Sequence, residues 1–364
     1  MVWVCKKCNL TWYYPVDTCI YCKSKIEIMN PTTYTIRGIT KVFTPSPEHS
    51  TVPYYDLLLE DEQGNFYIRK AFQSYELGDE ISDRKKEVKV KKVGIVGTGV
   101  TGCGIVQISL QAGCETVLKS RSKEAIEKAL EKIEMNLLKV MKVEAKDKVL
   151  CNLKPTEKLE DLSDVDIIIE SVIEDIDIKK ELFKELDKIC SRKTILATNT
   201  SSLSINEIAS VTSNPNRVIG IHFFNPIPKM QLVEIVAGEK TSQETIEFAK
   251  DFAKQLSKVP VITTDTPGFI VNRILMPYLN EAVYALYEGV ASPSDIDTAA
   301  KLGLNHPIGP LALLDLIGLD IFLAIMNSLY QRTANPKYLP CLLVEKMVRE
   351  GKLGRKTKEG FYKY

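Results

Sequence analysis

The chain has 364 residues, 45% of them apolar and 26% charged, with a formal net charge of +1. That length holds two or three domains, each with its own core. The near-neutral balance argues against a dedicated nucleic-acid or membrane-surface protein. No apolar run approaches the ~18–20 residues of a membrane span. The opening MVWVCKKC lacks a signal peptide's layout, so a cytoplasmic protein is expected.

Residues 1–33 carry CKKC and CIYC, two Cys-x-x-Cys pairs with ten residues between them. Each such turn aims two thiolates at one ion, and two turns close a tetrahedral site. Cys5, Cys8, Cys19 and Cys22 are therefore expected to hold a structural zinc, with a rubredoxin-like iron as the alternative. The metal would supply the stability that so short a segment lacks. Cys103, Cys114, Cys151, Cys190 and Cys341 stand among apolar neighbours and read as small hydrophobes. Cys103, inside a glycine loop, is the one to test for reactivity.

Residues 34–85 read as short strands, TYTIRGITKVF and PYYDLLLED, then FYIRKAF after the turn EQGN. Tyr54, Tyr55, Phe66 and Tyr67 either fill a small barrel or stack on single-stranded nucleic acid, and filling is the simpler reading. The basic run DRKKEVKVKK (83–92) reads as a solvated linker. The two cysteine knuckles followed by VPYYDLLLEDEQG resemble the zinc-ribbon/OB-fold family that accompanies thiolase-type and acyl-CoA enzymes. That resemblance implies an OB-like barrel over 34–85, a role in acyl-CoA handling, and docking to a thiolase-like partner.

From residue 92 strands alternate with helices, as in a parallel α/β sheet. VGIVG, ETVLK, DIIIES, TILAT, VIGIHF and QLVEIV read as strands, with EAIEKALEKIEMNLLKVMK and IKKELFKELDKI as helices between them. After DTPG (265–268) the pattern turns helical, through FIVNRILMPYLNEAVYALYEG, SDIDTAAKLG and GPLALLDLIGLDIFLAIMNSLYQR.

GTGVTG (97–102) follows the first of these strands and opens a helix, the context that marks a dinucleotide loop. Gly97 permits the tight turn, Gly99 lets the backbone approach a pyrophosphate, and Gly102 lets helix and strand pack. The end of the next strand usually carries an acid that binds the ribose hydroxyls and repels a 2′-phosphate. Here it carries Ser120, followed by Arg121, a planar fork suited to phosphate, with Lys119 and Lys123 nearby. The site is read as built for NADP(H), with NAD(H) the alternative.

Of the three histidines, His49 lies in a polar loop and His306 in NHPIGP between helices. His222 ends the apolar strand VIGIHF, at the edge where open α/β sheets bind ligands. Glu234 stands in the otherwise apolar QLVEIV; a buried acid needs a partner, and an imidazole is the natural one. A histidine held by a carboxylate is a general acid/base, which carbonyl–alcohol interconversion requires.

IHFFNPIPKMQLVE, ATNTSSLSI, DTPGFIVNR, HPIGPLALLDLIGLD and GRKTKEGFYKY together resemble (S)-3-hydroxyacyl-CoA dehydrogenases, the 3-hydroxybutyryl-CoA type included. The resemblance covers about 92–364. It implies a Rossmann domain over 92–264 and an all-α domain over 265–364 that forms a homodimer interface and part of the cleft. It further implies His222 as acid/base, Glu234 as its orienting partner, and Ser201 and Asn272 as ligands of the substrate oxygen. Glu174, Lys179, Asn199, Asn225 and Lys356 fall at cofactor positions, and Lys139 and Lys142 near the coenzyme A phosphates. The substrate pair expected is acetoacetyl-CoA and 3-hydroxybutyryl-CoA. Three departures from the family pattern are Ser120, Thr101 before the third glycine, and Lys358 near Lys356.

Overall fold

The computed structural model describes residues 2–5, 10–12, 22, 27–29, 33–42, 54–61, 64, 66–71, 76–82 and 89–364. The chain divides into two compact units, 1–87 and 88–364.

In the first unit, β1 (Val2–Cys5), β2 (Leu10–Trp12) and β3 (Glu27–Met29) form an antiparallel sheet in the order β2-β1-β3. A second antiparallel sheet runs β6-β5-β4-β7, from β4 (Thr33–Val42), β5 (Tyr54–Asp61), β6 (Phe66–Ala71) and β7 (Glu80–Ser82). Alternation in YYDLLLED puts Leu57 and Leu59 inward, packed with Tyr34 and Ile36, and leaves Leu58 exposed. Tyr55 and Tyr67 pack against this core, whereas Phe66 is exposed. The predicted hairpin is present: β5 and β6 pair, and Gly64 takes φ +81° between them. Of the expected metal ligands, Cys8 and Cys19 lie outside the described residues, as does most of the basic run at 83–88; Cys5 ends β1 and Cys22 is half-buried.

The second unit is built on an eight-stranded sheet. Its strands are β8 (Lys92–Val96), β9 (Glu115–Lys119), β10 (Leu153–Thr156), β11 (Ile167–Glu170), β12 (Ile195–Thr198), β13 (Val218–Phe223), β14 (Leu232–Ala237) and β15 (Val259–Thr264). Their order is β10-β9-β8-β11-β12-β13-β14-β15, all parallel except the β13/β14 pair. Winding reverses between β8 and β11, and ligands bind beyond the carboxyl ends at such a point. The intervening helices are α1 (Val100–Gln111), α2 (Lys123–Leu138), α3 (Val143–Leu150), α4 (Ile176–Ile189), α5 (Ile205–Ala209) and α6 (Gln243–Gln255). Side-chain caps start several of them: Ser122 accepts from Ala125 N, Asp175 from Asp177 N and Ile178 N, and Ser242 from Thr245 N. Buried side chains such as Phe183 and Phe252 each contribute about 1.5–3 kcal/mol of transfer free energy.

Helices α7 (Val271–Tyr287), α8 (Pro293–Gly303), α9 (Pro310–Ile317), α10 (Leu319–Thr333) and α11 (Leu342–Arg349) complete the unit. Met276, Leu279, Leu311, Leu314, Phe322 and Met326 form their shared core.

The structure departs from the sequence reading in four places. The helix expected to run through NLLKVMK stops at Leu138 and restarts at Val143. The long helix expected from Pro310 bends by 95° at Gly318, which takes φ +102°. Strands β10 and β15 were not expected: LKPT is short and carries a proline, and VPVITT lies at the sheet edge with most of its side chains exposed, so neither shows a buried-strand pattern. Among the described residues no single helix is long and apolar enough to cross a membrane.

Candidate active site

The turn from β8 into α1 is shaped by close approach. Gly97 takes φ +121°, and a Cβ there would stand 2.3 Å from Ser171 O. A Cβ on Gly102 would stand 2.0 Å from Gly97 O, so any side chain would push the helix off the turn. A Cβ on Gly99, by contrast, would meet nothing within 4 Å. The backbone is therefore open at the start of α1, where the helix directs free N–H groups outward and its first turn holds no acid. These residues fit the diphosphate of a dinucleotide.

A cavity of about 860 Å³ opens from this turn. One end is lined by Lys119, Ser120, Arg121 and Ser122, where β9 meets α2. Ser120 is nearly buried, its Oγ 3.4 Å from Thr98 Oγ1, while Arg121 is exposed at the rim. The other end is lined by Glu174, Asn199, Ser201 and Asn272. Ile321, Ala324, Ile325 and Ser328 of α10 close it. Their i, i+3, i+4, i+7 spacing makes one helix face, hidden in the sequence by the general apolarity of α10.

Behind Ser201 runs a row of hydrogen bonds. Antiparallel register places His222 of β13 directly opposite Glu234 of β14, and His222 Nδ1 lies 2.8 Å from Glu234 Oε2. With the proton on Nδ1 donated to the carboxylate, Nε2 faces the Ser201 hydroxyl at 3.0 Å. Glu234 is buried, and its Oε1 accepts from Ile270 N at 3.0 Å and Val271 N at 2.9 Å. The carboxylate thus ties the histidine to the first turn of α7, which also carries Asn272. The rings of Phe224 and Phe269 pack on the imidazole, with centroids 4.6 and 5.7 Å away.

Asn199 uses Oδ1 to accept from Phe223 N at 2.9 Å, bracing the strand end that carries His222. Glu174 Oε1 accepts from Thr200 Oγ1 at 2.5 Å and from Ser201 N at 2.9 Å. Burial alone would raise its pKa, but Lys179 and the hydroxyl and amide donors outweigh burial and hold it below the ordinary value. Asn225 Nδ2 lies 3.4 Å from Thr101 Oγ1, and its peptide to Pro226 is cis.

Several expected positions lie elsewhere. Lys179 borders the cavity but is 1% exposed, its ammonium held by Glu170 and Glu174. Lys356 does not line the cavity: its Nζ is paired with both oxygens of Asp320, at 2.5 Å. Lys139 and Lys142 are exposed at the break between α2 and α3, outside the cavity lining. Cys103 is fully buried, donates to Thr98 O, and has its thiol pKa raised chiefly by burial, which disfavours the reactivity considered for it. Glu170 went unnoticed because it ends an apolar strand and belongs to no spacing motif.

Comparison with known proteins identifies the family. Residues 92–266 match the family model "3-hydroxyacyl-CoA dehydrogenase, NAD binding domain", and 268–364 match the C-terminal domain of the same family. A 3-hydroxybutyryl-CoA dehydrogenase of Clostridioides difficile is 52% identical over 279 residues, 75% of this chain and 99% of that protein. The mitochondrial hydroxyacyl-coenzyme A dehydrogenase of Homo sapiens is 41% identical over 82% of this chain and 99% of its own length. The crystal structure of an (S)-3-hydroxybutyryl-CoA dehydrogenase from Ralstonia eutropha superposes with a TM-score of 0.74 at 44% identity, covering 76% of this chain and 99% of that one. A glycine loop at the switch point, a carboxylate-held histidine beside it and two contiguous family matches lead to one assignment: the chain belongs to the 3-hydroxyacyl-CoA dehydrogenase family of NAD-dependent oxidoreductases.

Proposed function

We propose that the protein interconverts (S)-3-hydroxybutyryl-CoA and acetoacetyl-CoA with NADP(H) as the preferred dinucleotide and His222 as general acid/base. The observation that carries this reading is the row Glu234–His222–Ser201, which ends at the cavity opening from the glycine loop. The names of relatives 52% and 45% identical support the four-carbon substrate.

The bound dinucleotide supplies or takes the hydride at C3 of the acyl chain. In reduction His222 Nε2–H gives its proton to the oxygen forming at C3, and in oxidation Nε2 accepts it back. Glu234 keeps the Nδ1 proton in place and stabilises the imidazolium. The Ser201 hydroxyl, within 3.0 Å of Nε2, and the Asn272 amide stabilise the charge on that oxygen. Phe224 and Phe269 shield the ring from water.

Preference for the phosphorylated cofactor rests on Ser120 and Arg121. No carboxylate stands at the end of β9 to repel a 2′-phosphate, and Arg121 offers charge at the rim. In the first unit Cys5, Cys8, Cys19 and Cys22 would hold a structural zinc, and the strands that follow would form an OB-like barrel that assists acyl-CoA handling or meets a thiolase-like partner. Exposed Ile274, Val290 and Leu302, at 66%, 71% and 81%, favour a homodimer through the helical domain.

The test is steady-state oxidation of NADPH and of NADH with acetoacetyl-CoA, using wild type and Arg121→Ala. Faster NADPH turnover that is lost in the variant supports both parts of the reading. Equal rates, or faster NADH turnover, discard the cofactor preference, and no turnover with either discards the substrate.

A further inference from the structure

Glu170, at the carboxyl end of β11, has 0% exposure and no part in the chemistry described above. Its Oε1 lies 2.6 Å from Lys179 Nζ and accepts from Val172 N, also at 2.6 Å. Its Oε2 accepts from Thr198 Oγ1 at 2.7 Å. Lys179 Nζ stands 3.4 Å from Glu174 Oε2. The other oxygen of Glu174 gathers four donors from one loop: Thr200 Oγ1, Ser201 N, Ser202 N and Ser202 Oγ. One ammonium therefore stands between a fully buried carboxylate and one at the cavity wall, and the second carboxylate grips the loop that bears Ser201.

We propose that Glu170 is a positioning residue: it fixes Lys179 so that the lysine holds Glu174 against residues 200–202, and thereby sets the Ser201 hydroxyl against His222. The inference rests on the reading of His222 and Ser201 as the reacting pair. A lysine has a long stem with many rotamers, and its own backbone does not determine where the ammonium rests. Here the shorter contact, to Glu170, determines it, because that carboxylate is locked by a backbone amide and a buried hydroxyl. Glu174 is the adjustable member, with its side chain 40% exposed beside the cavity. Without the lysine it would turn toward solvent and release three residues of loop at once. A competing account is mutual neutralisation, in which Glu170 and Lys179 merely satisfy one another in the core. Removing one partner of a buried pair strands a charge, whereas replacing both by neutral groups of similar shape is often tolerated. The two accounts therefore diverge in the double variant.

The experiment uses the full-length protein with acetoacetyl-CoA and NADPH, thermal melting, and NMR of the histidine rings. Only three histidines, His49, His222 and His306, need assignment. Glu170→Gln is expected to lower kcat about tenfold or more with KM for the acyl-CoA changed far less, as loss of a transition-state contact does. It is also expected to move the His222 ring signals while those of His49 and His306 stay put. Glu170→Gln/Lys179→Met is expected to regain the melting temperature but not kcat. Recovery of kcat in the double variant, or a single variant with lowered melting temperature but unmoved His222 signals, overturns the proposal in favour of neutralisation. The ring signals need no turnover, so an inactive wild type would discard the proposed substrate while the NMR result still decides the positioning role.

Discussion

Two buried acid–base pairs stand near the active cavity, and they are held in place differently. His222 and Glu234 face each other across an antiparallel register, and Glu234 is further fixed by two backbone amides of α7. Lys179 and Glu170 meet between a helix and a strand end, and the lysine answers only to carboxylates. The first pair is positioned by the backbone, so its geometry survives changes in charge. In the second only Glu170 is anchored, by Val172 N and Thr198 Oγ1, and the lysine and Glu174 are placed by the contacts that run from it. Under the proposed function His222 changes charge in each turnover, which suits the first arrangement; a loop anchor suits the second.

Breaking the backbone-held pair should have the largest effect. His222→Ala is expected to lower kcat by about 10²–10⁴-fold, the usual range for loss of a general acid/base, and to lower the melting temperature as well, because it leaves buried Glu234 without its imidazole partner. Glu234→Gln should follow closely, with an added loss of stability because it weakens acceptance from Ile270 N and Val271 N; kinetics and melting on one preparation separate the two. Glu170→Gln, at about tenfold, tests the charge-held pair. Arg121→Ala should reduce the NADPH/NADH ratio of kcat/KM by about tenfold, the worth of one charge-assisted hydrogen bond, and leave NADH turnover intact.

Acid titration sharpens the comparison further. Glu174 titrates below its ordinary value of 4.5 in the folded protein. Its contribution to stability is therefore fully present above that value and lost as pH falls through the lower folded one. Glu174→Gln should flatten the acid limb of the unfolding profile in that window, modestly because the side chain is half-exposed. The smallest expected effect concerns the thiols of the second unit. Alkylation followed by peptide mapping should find exposed Cys151 modified and buried Cys103, Cys114 and Cys190 protected. Burial raises the pKa of all three, that of Cys114 and Cys190 to about 11.

Much of the second unit can be read from its residues. Glycine spacing after an apolar strand marks the dinucleotide turn, because only glycine tolerates the approaches seen at Gly97 and Gly102. An acid inside an apolar run marks Glu234, because burying it without a partner is too costly. The bend at Gly318 escapes the same reading, since apolar residues continue on both sides and periodicity alone cannot register a change of direction. The edge strand β15 escapes because exposed side chains erase the buried pattern. The break between α2 and α3, where Lys139 and Lys142 lie, escapes because a helix end is set by caps and packing, which a run of helix-forming residues does not display.

By itself the sequence determined the alternation of strands and helices, the cradle for a dinucleotide and the pairing of a histidine with an acid. These are local patterns or necessities of burial, and neighbouring residues carry them. Tertiary structure alone decided that Ser201 faces His222, that α10 walls the cavity, that Lys356 is engaged by Asp320, and that Glu170 holds Lys179. Each of these joins residues far apart in the chain, and its free energy depends on distance and burial, which no linear pattern encodes.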